Sequence, residues 1–355
     1  MPAYPQKILI FQWTGNVGDM VCITPMFRAI KSQYPQSRLI VIGKEKAGEM
    51  VRGNPLVDEY LTYRNDPTAL IKKIKSQKID FACLTNPGLL GLAMLYLAGI
   101  KAISVFSIVN FPKATSRLYH LLTNLVIRVP FWVKQGRYMP QEYLRLLVPF
   151  GINNDDTHFQ LFYSPTATQT RDRFFKDQGI ESSDFIVAFA PGGGERTRWW
   201  PAECFAKLAD YFYKKYQAKI WLIGAGEDQE PIETMLQHLG SAVSVFNLYG
   251  QSLDELKAFL AKASLVVAND SGPVVIAEAF DVPTMVLIGP TDERDHHREQ
   301  PFNRIIKSPQ RGDPETYSMH WTGFNEARAV KQIEAVTLEM AVKTADELVT
   351  KILSR

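Results

Sequence analysis

Residues 263–292, ASLVVANDSGPVVIAEAFDVPTMVLIGPTD, decide the fold of this chain. An apolar run leads into the polar turn at residues 269–273, a helical segment follows, and a second β-branched run ends in Gly-Pro-Thr-Asp. This order is typical of a strand–loop–helix–strand unit in a parallel sheet. Ser271 and Gly272 suit a helix cap and Pro273 suits the first turn, so the free N–H groups there predict an anion site. Capped helices also follow strands in α/β proteins that bind nothing at that turn.

The composition bounds the possible architectures and partners. A chain of 355 residues with 46% hydrophobic and 22% charged residues is globular and long enough for two domains. The net charge of +3 is small for this length and gives no case for a nucleic-acid partner. Cys22, Cys83 and Cys204 have no paired spacing, which argues against disulfides and zinc. The first apolar run is too short for a signal peptide or a membrane span, which predicts a cytoplasmic location.

The N-terminal stretch predicts a second ligand-binding loop. Residues 7–11 form a continuous apolar run typical of a buried strand, and residues 12–19, QWTGNVGD, form the loop beyond it. Residues 20–34 are predicted to be one helix. Open α/β sheets bind ligands at the carboxyl ends of such strands, and the helix dipole favours the ionised form of Asp19. Asp19 is therefore a candidate general base, with a helix cap without chemistry as the alternative.

A glycine-rich loop follows the strand predicted at residues 185–190. It reads PGGGERTRWWP at residues 191–201. Its glycines let backbone amides approach an anion, and Arg196 and Arg198 carry the charge to neutralise a diphosphate. The alternative is a glycine-rich turn with two solvated arginines. The strand–loop–helix alternation along the chain predicts doubly wound parallel sheets.

Three separated motifs resemble those of glycosyltransferase family 9, the group that contains the lipopolysaccharide heptosyltransferases. They are Gly-Asn-Val-Gly-Asp at residues 15–19, the basic residue before Trp-Pro at residues 198–201, and Asn-Asp-Ser-Gly-Pro with Gly-Pro-Thr-Asp in residues 269–292. The likeness covers nearly the whole chain in motif order. It implies an α/β fold of the GT-B class, in which two doubly wound Rossmann-like domains face each other across a cleft.

The resemblance also implies a division of labour between the two domains. The acceptor is expected on residues 1–163 and the nucleotide sugar on residues 164–355, with a polar, breaker-rich bridge at residues 151–168. The terminal helix, at about residues 330–355, is expected to pack back on the first domain.

The implied reaction is an inverting glycosyl transfer from a nucleoside-diphosphate sugar, with ADP-heptose as the leading donor. Asp19 matches the family's catalytic base, and Arg198 matches a phosphate-binding position where the heptosyltransferases carry lysine. Glu227 is the candidate for the ribose, with Asp228 as its competitor. The expected donor-binding residues are Gly193, Gly194, Arg198, Glu227, Gln251, Asp270, Ser271, Gly272 and Thr291, and the expected acceptor-binding residues are Gly18, Lys113 and Arg117.

One departure from the family pattern bears on the donor. Val275 stands where members usually have a histidine, so either Arg198 and the helix amides suffice or the donor differs. Residues 292–298, including His296 and His297, are predicted to be a solvated loop rather than a metal site. No Asp-x-Asp motif appears where a diphosphate would need one, so we expect neither a divalent metal nor a cofactor.

The segment at residues 111–150 mixes basic residues with aromatic and other apolar ones. That mixture suits a lipid headgroup or a lipid-linked sugar. Together with the resemblance, which implies a lipopolysaccharide-core or related glycan or glycolipid acceptor, it leads us to expect peripheral contact at the inner membrane. An ordinary helix with a solvated charged face is the alternative. Two other functions stay open: a nicotinamide enzyme, weakly suggested by Gly-x-Gly at residues 224–226, and a non-catalytic nucleotide-sugar binder.

Overall fold

The computed structural model describes residues 4–110, 116–319 and 323–354. It separates into two compact units that divide between Phe162 and Tyr163, and a short stretch from Tyr317 belongs to the first unit. This division lies one residue before the predicted one. Each unit contains one six-stranded sheet in which all neighbouring strands run parallel.

The first unit alternates strands and helices. Its strands are β1 (Lys7–Phe11), β2 (Arg38–Gly43), β3 (Glu59–Thr62), β4 (Phe81–Leu84), β5 (Ile103–Ile108) and β6 (Ile127–Phe131), and its helices are α1 (Val17–Cys22), α2 (Thr24–Gln33), α3 (Glu45–Gly48), α4 (Pro67–Gln77), α5 (Leu89–Leu97), α6 (Arg117–Thr123) and α7 (Met139–Arg145). The strand order is β3-β2-β1-β4-β5-β6. The continuous apolar runs of the central strands are buried, as expected for a parallel sheet covered on both faces.

The second unit repeats this plan. Its strands are β7 (Ile186–Ala190), β8 (Lys219–Leu222), β9 (Val245–Asn247), β10 (Leu265–Asn269), β11 (Thr284–Ile288) and β12 (Asn303–Lys307), and its helices are α8 (Pro165–Gln178), α9 (Ala202–Tyr216), α10 (Gln229–His238), α11 (Leu253–Leu260), α12 (Gly272–Glu278), α13 (Glu293–His296), α14 (Glu326–Glu334) and α15 (Leu338–Leu353). The order is β12-β11-β10-β7-β8-β9. The predicted strand–loop–helix–strand unit is β10, α12 and β11, with Val266 paired to Thr284.

Both sheets have a topological switch point at their centre. In the first unit the chain builds β1, β2 and β3 towards one edge and then returns to place β4 on the other side of β1. In the second unit β7, β8 and β9 run one way and β10 returns to the other side of β7. Open α/β sheets bind ligands outside the carboxyl ends of the strands at such points. The loops after β1, β7 and β10 are therefore the positions to examine.

The helix predicted at residues 20–34 is broken in the structure at Ile23. Pro25 has no N–H to donate to the carbonyl of Val21, four residues earlier. The Thr24 hydroxyl donates to that carbonyl instead, at 2.8 Å. The helix therefore restarts as α2, and α1 is a separate short element that carries Asp19.

The terminal helix α15 belongs to the second unit. Ala341, Ala345, Leu348 and Val349 form its buried face and lie in the hydrophobic core of that unit. The helix contacts α9 and β12. The sequence predicted a return to the first domain, but the small and branched residues of this face are covered by the second unit's own helix and strand. Among the described residues, no helix is long and apolar enough to cross a membrane.

Candidate active site

Asp19 lies in the first turn of α1, in the loop region that follows β1. Its Oδ2 accepts hydrogen bonds from the Thr14 hydroxyl at 2.8 Å and from the Asn16 amide at 3.2 Å. Asp19 is half-buried and forms no ion pair within the part of the chain that the structure describes. Its other oxygen, Oδ1, makes no hydrogen bond there. This carboxylate is oriented by neutral donors and keeps one oxygen available to accept a proton.

Gln12 lies behind this loop and is completely buried. Its Oε1 is 3.2 Å from the Thr14 hydroxyl, and its Nε2 has no hydrogen-bond partner among the described residues. A hydroxyl donates only one proton, and the Thr14 proton has the closer and charged acceptor in Asp19. A half-turn of the amide would let Nε2 donate to Thr14, so that Gln12, Thr14 and Asp19 form one chain of hydrogen bonds.

The three residues expected to bind the acceptor are not brought into one place. Gly18 is adjacent to Asp19 in α1. Arg117 is the exposed first residue of α6. Lys113 lies outside the described residues. Their grouping stays a prediction.

The loops after β7 and β10 are in direct contact at the switch point of the second unit. Gly193 has a φ of +88°, and a Cβ built there would lie 2.6 Å from Cβ of Ser271. A side chain at position 193 would therefore push the two loops apart. The Asn269 amide ties them, since it donates to the Pro191 carbonyl at 2.7 Å and accepts from the Trp200 N–H at 2.9 Å.

Arg198 reaches across this junction to the loop after β10. Its Nη1 is 3.3 Å from both the carbonyl oxygen and the Oδ2 carboxylate oxygen of Asp270. Gly194, with a φ of +63°, lies beside the same guanidinium. Arg196 is directed elsewhere: it is exposed and pairs with Glu230 at 2.6 Å. Of the two arginines predicted to neutralise a diphosphate, the structure brings only Arg198 to the Ser271 loop.

His297 also reaches Asp270, which the sequence did not predict. Its Nε2 is 3.0 Å from Oδ1 of Asp270, and its Nδ1 is 3.9 Å from a carboxylate oxygen of Glu278 at the end of α12. The prediction that residues 292–298 form a solvated loop is wrong. Asp292 accepts from the N–H of Arg294 at the start of α13, and this short helix turns the chain inward, so that His297 is only 4% exposed.

The charges in this cluster stabilise one another. Burial alone raises the pKa of Asp270, but the hydrogen bond from His297 and the charges of Arg198 and His297 outweigh it and hold the pKa far below its usual range. Burial alone lowers the pKa of His297, but its contact with Asp270 and the carboxylate of Glu278 outweigh that effect and raise the pKa to about 10. At neutral pH His297 is therefore an imidazolium that neutralises Asp270.

The loop after β8 contains one acidic residue that is hydrogen-bonded within the fold. Asp228 is buried and accepts from the N–H of Gly193 at 2.6 Å and from the N–H of Ala225 at 2.8 Å. It holds the loops after β7 and β8 together, and its competition with Glu227 for a ribose stays a prediction. Glu227 is exposed on the same turn and keeps that predicted role. Gln251 is half-buried in the loop after β9.

The start of α12 differs in detail from the predicted cap. Ser271 is the capping residue, but its hydroxyl donates to the Asn269 carbonyl at 3.0 Å and accepts no helix N–H. Gly272 is the first helical residue, and Val275 is buried on the inner face of the helix. Thr291, after β11, is 7% exposed, and its hydroxyl has no hydrogen-bond partner among the described residues.

A separate pocket of about 700 Å³ lies beside this junction, also within the second unit. It is lined by Arg196, Trp199, Pro231 and residues of α14, and by none of the predicted donor-binding residues. Across the described residues, no three or more histidine, cysteine or acidic side chains are grouped to hold a metal ion. Metal independence stays a prediction.

Sequence reasoning found the loops but missed several of the residues that hold them. Thr14 and Asn16 flank the Asp19 motif, and their hydroxyl and amide groups were the available signal. The clamp made by Asp228 had a weaker signal, an acidic residue after a Gly-x-Gly turn. His297 had none, because its partner Asp270 is 27 residues away in the chain.

Comparison with known proteins places these features in a family. A model of glycosyltransferase family 9 (heptosyltransferase) matches residues 68–314. Lipooligosaccharide heptosyltransferase 2 of Haemophilus influenzae is 26% identical over 301 residues, covering 78% of this chain and 81% of the relative. Lipooligosaccharide heptosyltransferase 2 of Haemophilus ducreyi is also 26% identical, over 311 residues, covering 80% of this chain and 84% of the relative.

Solved structures agree on the fold. A family 9 glycosyltransferase from Veillonella parvula superposes with a TM-score of 0.80 at 17% identity, over 100% of this chain and 99% of the other. The ADP-heptose lipopolysaccharide heptosyltransferase II of Escherichia coli gives a TM-score of 0.73 at 20% identity, over 97% and 99%. The predicted GT-B class, built from two Rossmann-like domains, is confirmed.

Proposed function

The chain belongs to glycosyltransferase family 9, and from this premise we propose that it transfers heptose from ADP-heptose to a lipopolysaccharide-core acceptor with inversion at the anomeric carbon. The proposal for the sugar is supported by relatives that are named heptosyltransferases across four-fifths of their length. The acceptor class is supported by the same names. The buried Val275 is compatible with this donor if Arg198 and the backbone amides provide the phosphate contacts.

Asp19 is the proposed general base. Its Oδ1 takes the proton of the acceptor hydroxyl. At the same time the hydroxyl oxygen forms a bond to the anomeric carbon, and the bond between this carbon and the diphosphate oxygen breaks. Thr14 and Asn16 hold the other carboxylate oxygen, which fixes the direction of attack. General-base assistance of this kind contributes roughly a hundred- to ten-thousandfold to the rate.

The observation that carries the donor proposal is the junction of the loops after β7 and β10. Arg198 is held there against Asp270, beside two glycines in left-handed conformations and the N–H groups at the start of α12. A guanidinium and free N–H groups stabilise the negative charge that develops on a leaving diphosphate. The buried Thr291 hydroxyl is a further proposed donor to it. With these groups, the reaction needs no divalent metal.

The test supplies purified protein with a heptose-deficient lipopolysaccharide-core acceptor and, in parallel, ADP-heptose and the GDP- and UDP-linked sugars. Release of ADP together with an acceptor heavier by one heptose is the expected result, and it should persist with excess EDTA. Transfer from another nucleotide sugar would replace the donor in this proposal. Donor binding without transfer to any acceptor would favour a nucleotide-sugar binder, and loss of turnover with EDTA would contradict metal independence.

A further inference from the structure

Two neighbouring helices of the first unit, α5 and α6, expose large apolar side chains. We call this surface the α5–α6 face. Its leucines are between 39% and 63% exposed, far more than the buried leucines on the inner sides of the same elements. The members of the face are Leu90, Leu97, Leu118, Leu121 and Leu125.

The spacing of these leucines makes the surface continuous on each helix. Leu90 and Leu97 are two turns apart on α5, and Leu118 and Leu121 are one turn apart on α6, so each pair projects to one side. Two aromatic residues within residues 111–150 are not part of this surface. Tyr119 and Phe131 are buried in the core. The lipid contact predicted for residues 111–150 stays a prediction, and the burial of these two rings leaves them no part in it.

The chain segment that carries the α5–α6 face has only positive charges. No acidic residue occurs between Asp80 and Glu142, whereas that stretch contains six lysines and arginines. Lys101, Arg117 and Arg128 are exposed. Exposed leucines and exposed cations in one segment that has no acidic residue fit a partner with an apolar interior and an anionic surface, which is the chemistry of an anionic lipid bilayer.

The face is connected to the loop that holds Asp19. Gly88 is the capping residue of α5, and a Cβ built on it would lie 2.8 Å from the Trp13 ring. Trp13 belongs to the loop after β1. A membrane at the α5–α6 face would therefore lie next to α5, which adjoins the loop after β1. The helix that follows this loop, α1, carries the proposed base, Asp19.

We propose that the α5–α6 face docks on an anionic lipid surface, with its leucines in the interface and its cations at the headgroups. A lipid surface is consistent with the lipid-linked acceptor of the proposed function, but binding to this surface requires no substrate. It is tested by sedimentation of the full chain with vesicles of phosphatidylglycerol and phosphatidylcholine, and with vesicles of phosphatidylcholine alone. The test variant is Leu118→Ser with Leu121→Ser.

The wild-type chain should sediment with the anionic vesicles, and added salt should weaken this binding. The double variant should bind at least about tenfold more weakly, because two leucines leave the interface. Leu236→Ser, a leucine of similar chemistry on α10 that is 40% exposed, is the control and should bind as the wild type does. If the double variant does not fold, Leu97→Ser on α5 is used instead in the same sedimentation assay. Equal binding of all variants, or no binding by the wild type, would overturn the proposal.

A different observation concerns the carboxylate of Asp270. It is 8% exposed and lies 3.3 Å from the guanidinium that the proposed function assigns to the diphosphate. A negative group in that place competes with the diphosphate for Arg198 and repels it. The opposite oxygen of the same carboxylate faces His297 at 3.0 Å. His297 is thus a second counter-charge to Asp270, and it weakens the competition of this carboxylate for the Arg198 guanidinium.

The surroundings of His297 support this role. Glu278, at 3.9 Å, is the second carboxylate that faces it, and Arg198 approaches Asp270 from the loop after β7. His296 adds a further positive influence on Asp270. Two carboxylates and two cations thus balance at the edge of the predicted phosphate site. Removing His297 would leave Arg198 as the main cation beside Asp270.

We infer that His297 is a positioning residue for the donor, which neutralises Asp270 so that Arg198 can bind the diphosphate. The inference rests on the proposed function. Its test compares ADP with adenosine, which lacks the phosphates, as ligands of the wild type and of His297→Gln by calorimetry. His238→Gln is the matched control, since His238 is an exposed histidine on α10 of the same unit.

His297→Gln should bind ADP at least about tenfold more weakly and adenosine unchanged, because only the phosphate contacts depend on Arg198. His238→Gln should match the wild type for both. The double variant with Asp270→Asn removes both charges, so it should fold and regain part of the ADP affinity. Equal ADP affinity of His297→Gln and wild type would overturn this inference alone. No ADP binding by the wild type would overturn the proposed function as well.

Discussion

Asp19 and Asp270 each lie beside the switch point of their own sheet, but they have opposite surroundings. Each follows a central strand at a switch point and stands at or before the start of a helix. Asp19 is half-buried and is held by two neutral side chains of its own loop. Asp270 is buried between Arg198 and His297.

The comparison shows how one local pattern serves two tasks. The cations beside Asp270 hold its pKa far below the usual range, so it is a poor base near neutral pH. Asp19 forms no ion pair within the described chain, and its Oδ1 makes no hydrogen bond there. The same strand–loop–aspartate pattern therefore gives the proposed base in the first unit and a charge-paired carboxylate in the second.

The largest expected effect is on turnover. Asp19→Asn removes the proposed base and keeps the hydrogen-bonding shape, so the transfer rate should fall by roughly a hundred- to ten-thousandfold. Its free energy of unfolding should fall by only about 1 to 2 kcal/mol, because the amide oxygen can still accept from Thr14 and the carboxylate has no ion pair to lose. Initial rates with ADP-heptose and urea unfolding measure the two quantities. A variant that keeps most of the turnover would remove Asp19 from the mechanism.

The matched change in the second unit should affect stability instead. Asp270→Asn leaves two buried cations without their carboxylate, which should lower the free energy of unfolding by roughly 3 to 5 kcal/mol. Urea unfolding of both asparagine variants under the same conditions makes the comparison direct. If the two variants were equally stable, the distinction between the two aspartates would fail.

The third expectation is a pH dependence of stability. His297 has a folded pKa of about 10 and an ordinary value of 6.5, so its contribution is complete below the ordinary value and is lost as the pH rises through the folded one. The slope is at most about 1.4 kcal/mol per pH unit. Asp270, Glu278, Arg198 and His296 are the charged or titratable groups around it.

Urea unfolding of the wild type between pH 7 and 10 should therefore show a decline that His297→Gln lacks and His238→Gln retains. Because the pKa of Asp270 is lowered, its own contribution is present above its ordinary value and is lost only in acid. The two groups consequently act in separate pH ranges. A decline of equal slope in both glutamine variants would contradict the assignment to His297.

The sequence was sufficient for the fold and for the position of the loops. Apolar runs, glycines and capping residues are local signals, and they located β10, α12, β11 and the loop at residues 191–201. The cluster around Asp270 was not predictable in the same way. Arg198 is 72 residues away and His297 is 27 residues away, and their meeting depends on the strand order and on the turn made by α13. The local sequence pattern is therefore enough to identify the loops, whereas the residues that pair with Asp270 are determined by tertiary packing.

The smallest expected effect sharpens the comparison from the side of Asp19. Thr14→Val keeps the shape of the side chain and removes the hydroxyl that donates to Asp19, while Thr14→Ser keeps the donor. A hydrogen bond to a charged group is worth about 1.5 to 3 kcal/mol, so the valine variant should lose at least about tenfold in turnover and the serine variant much less. Initial rates at saturating ADP-heptose measure this loss, and ADP affinity is the control because the donor is proposed to bind the second unit. A large fall in both variants would indicate that Thr14 acts through packing. An unchanged turnover in the valine variant would mean that Asn16 alone orients the carboxylate of Asp19. One neutral donor would then be enough to hold Asp19, whereas Asp270 is held by two cations.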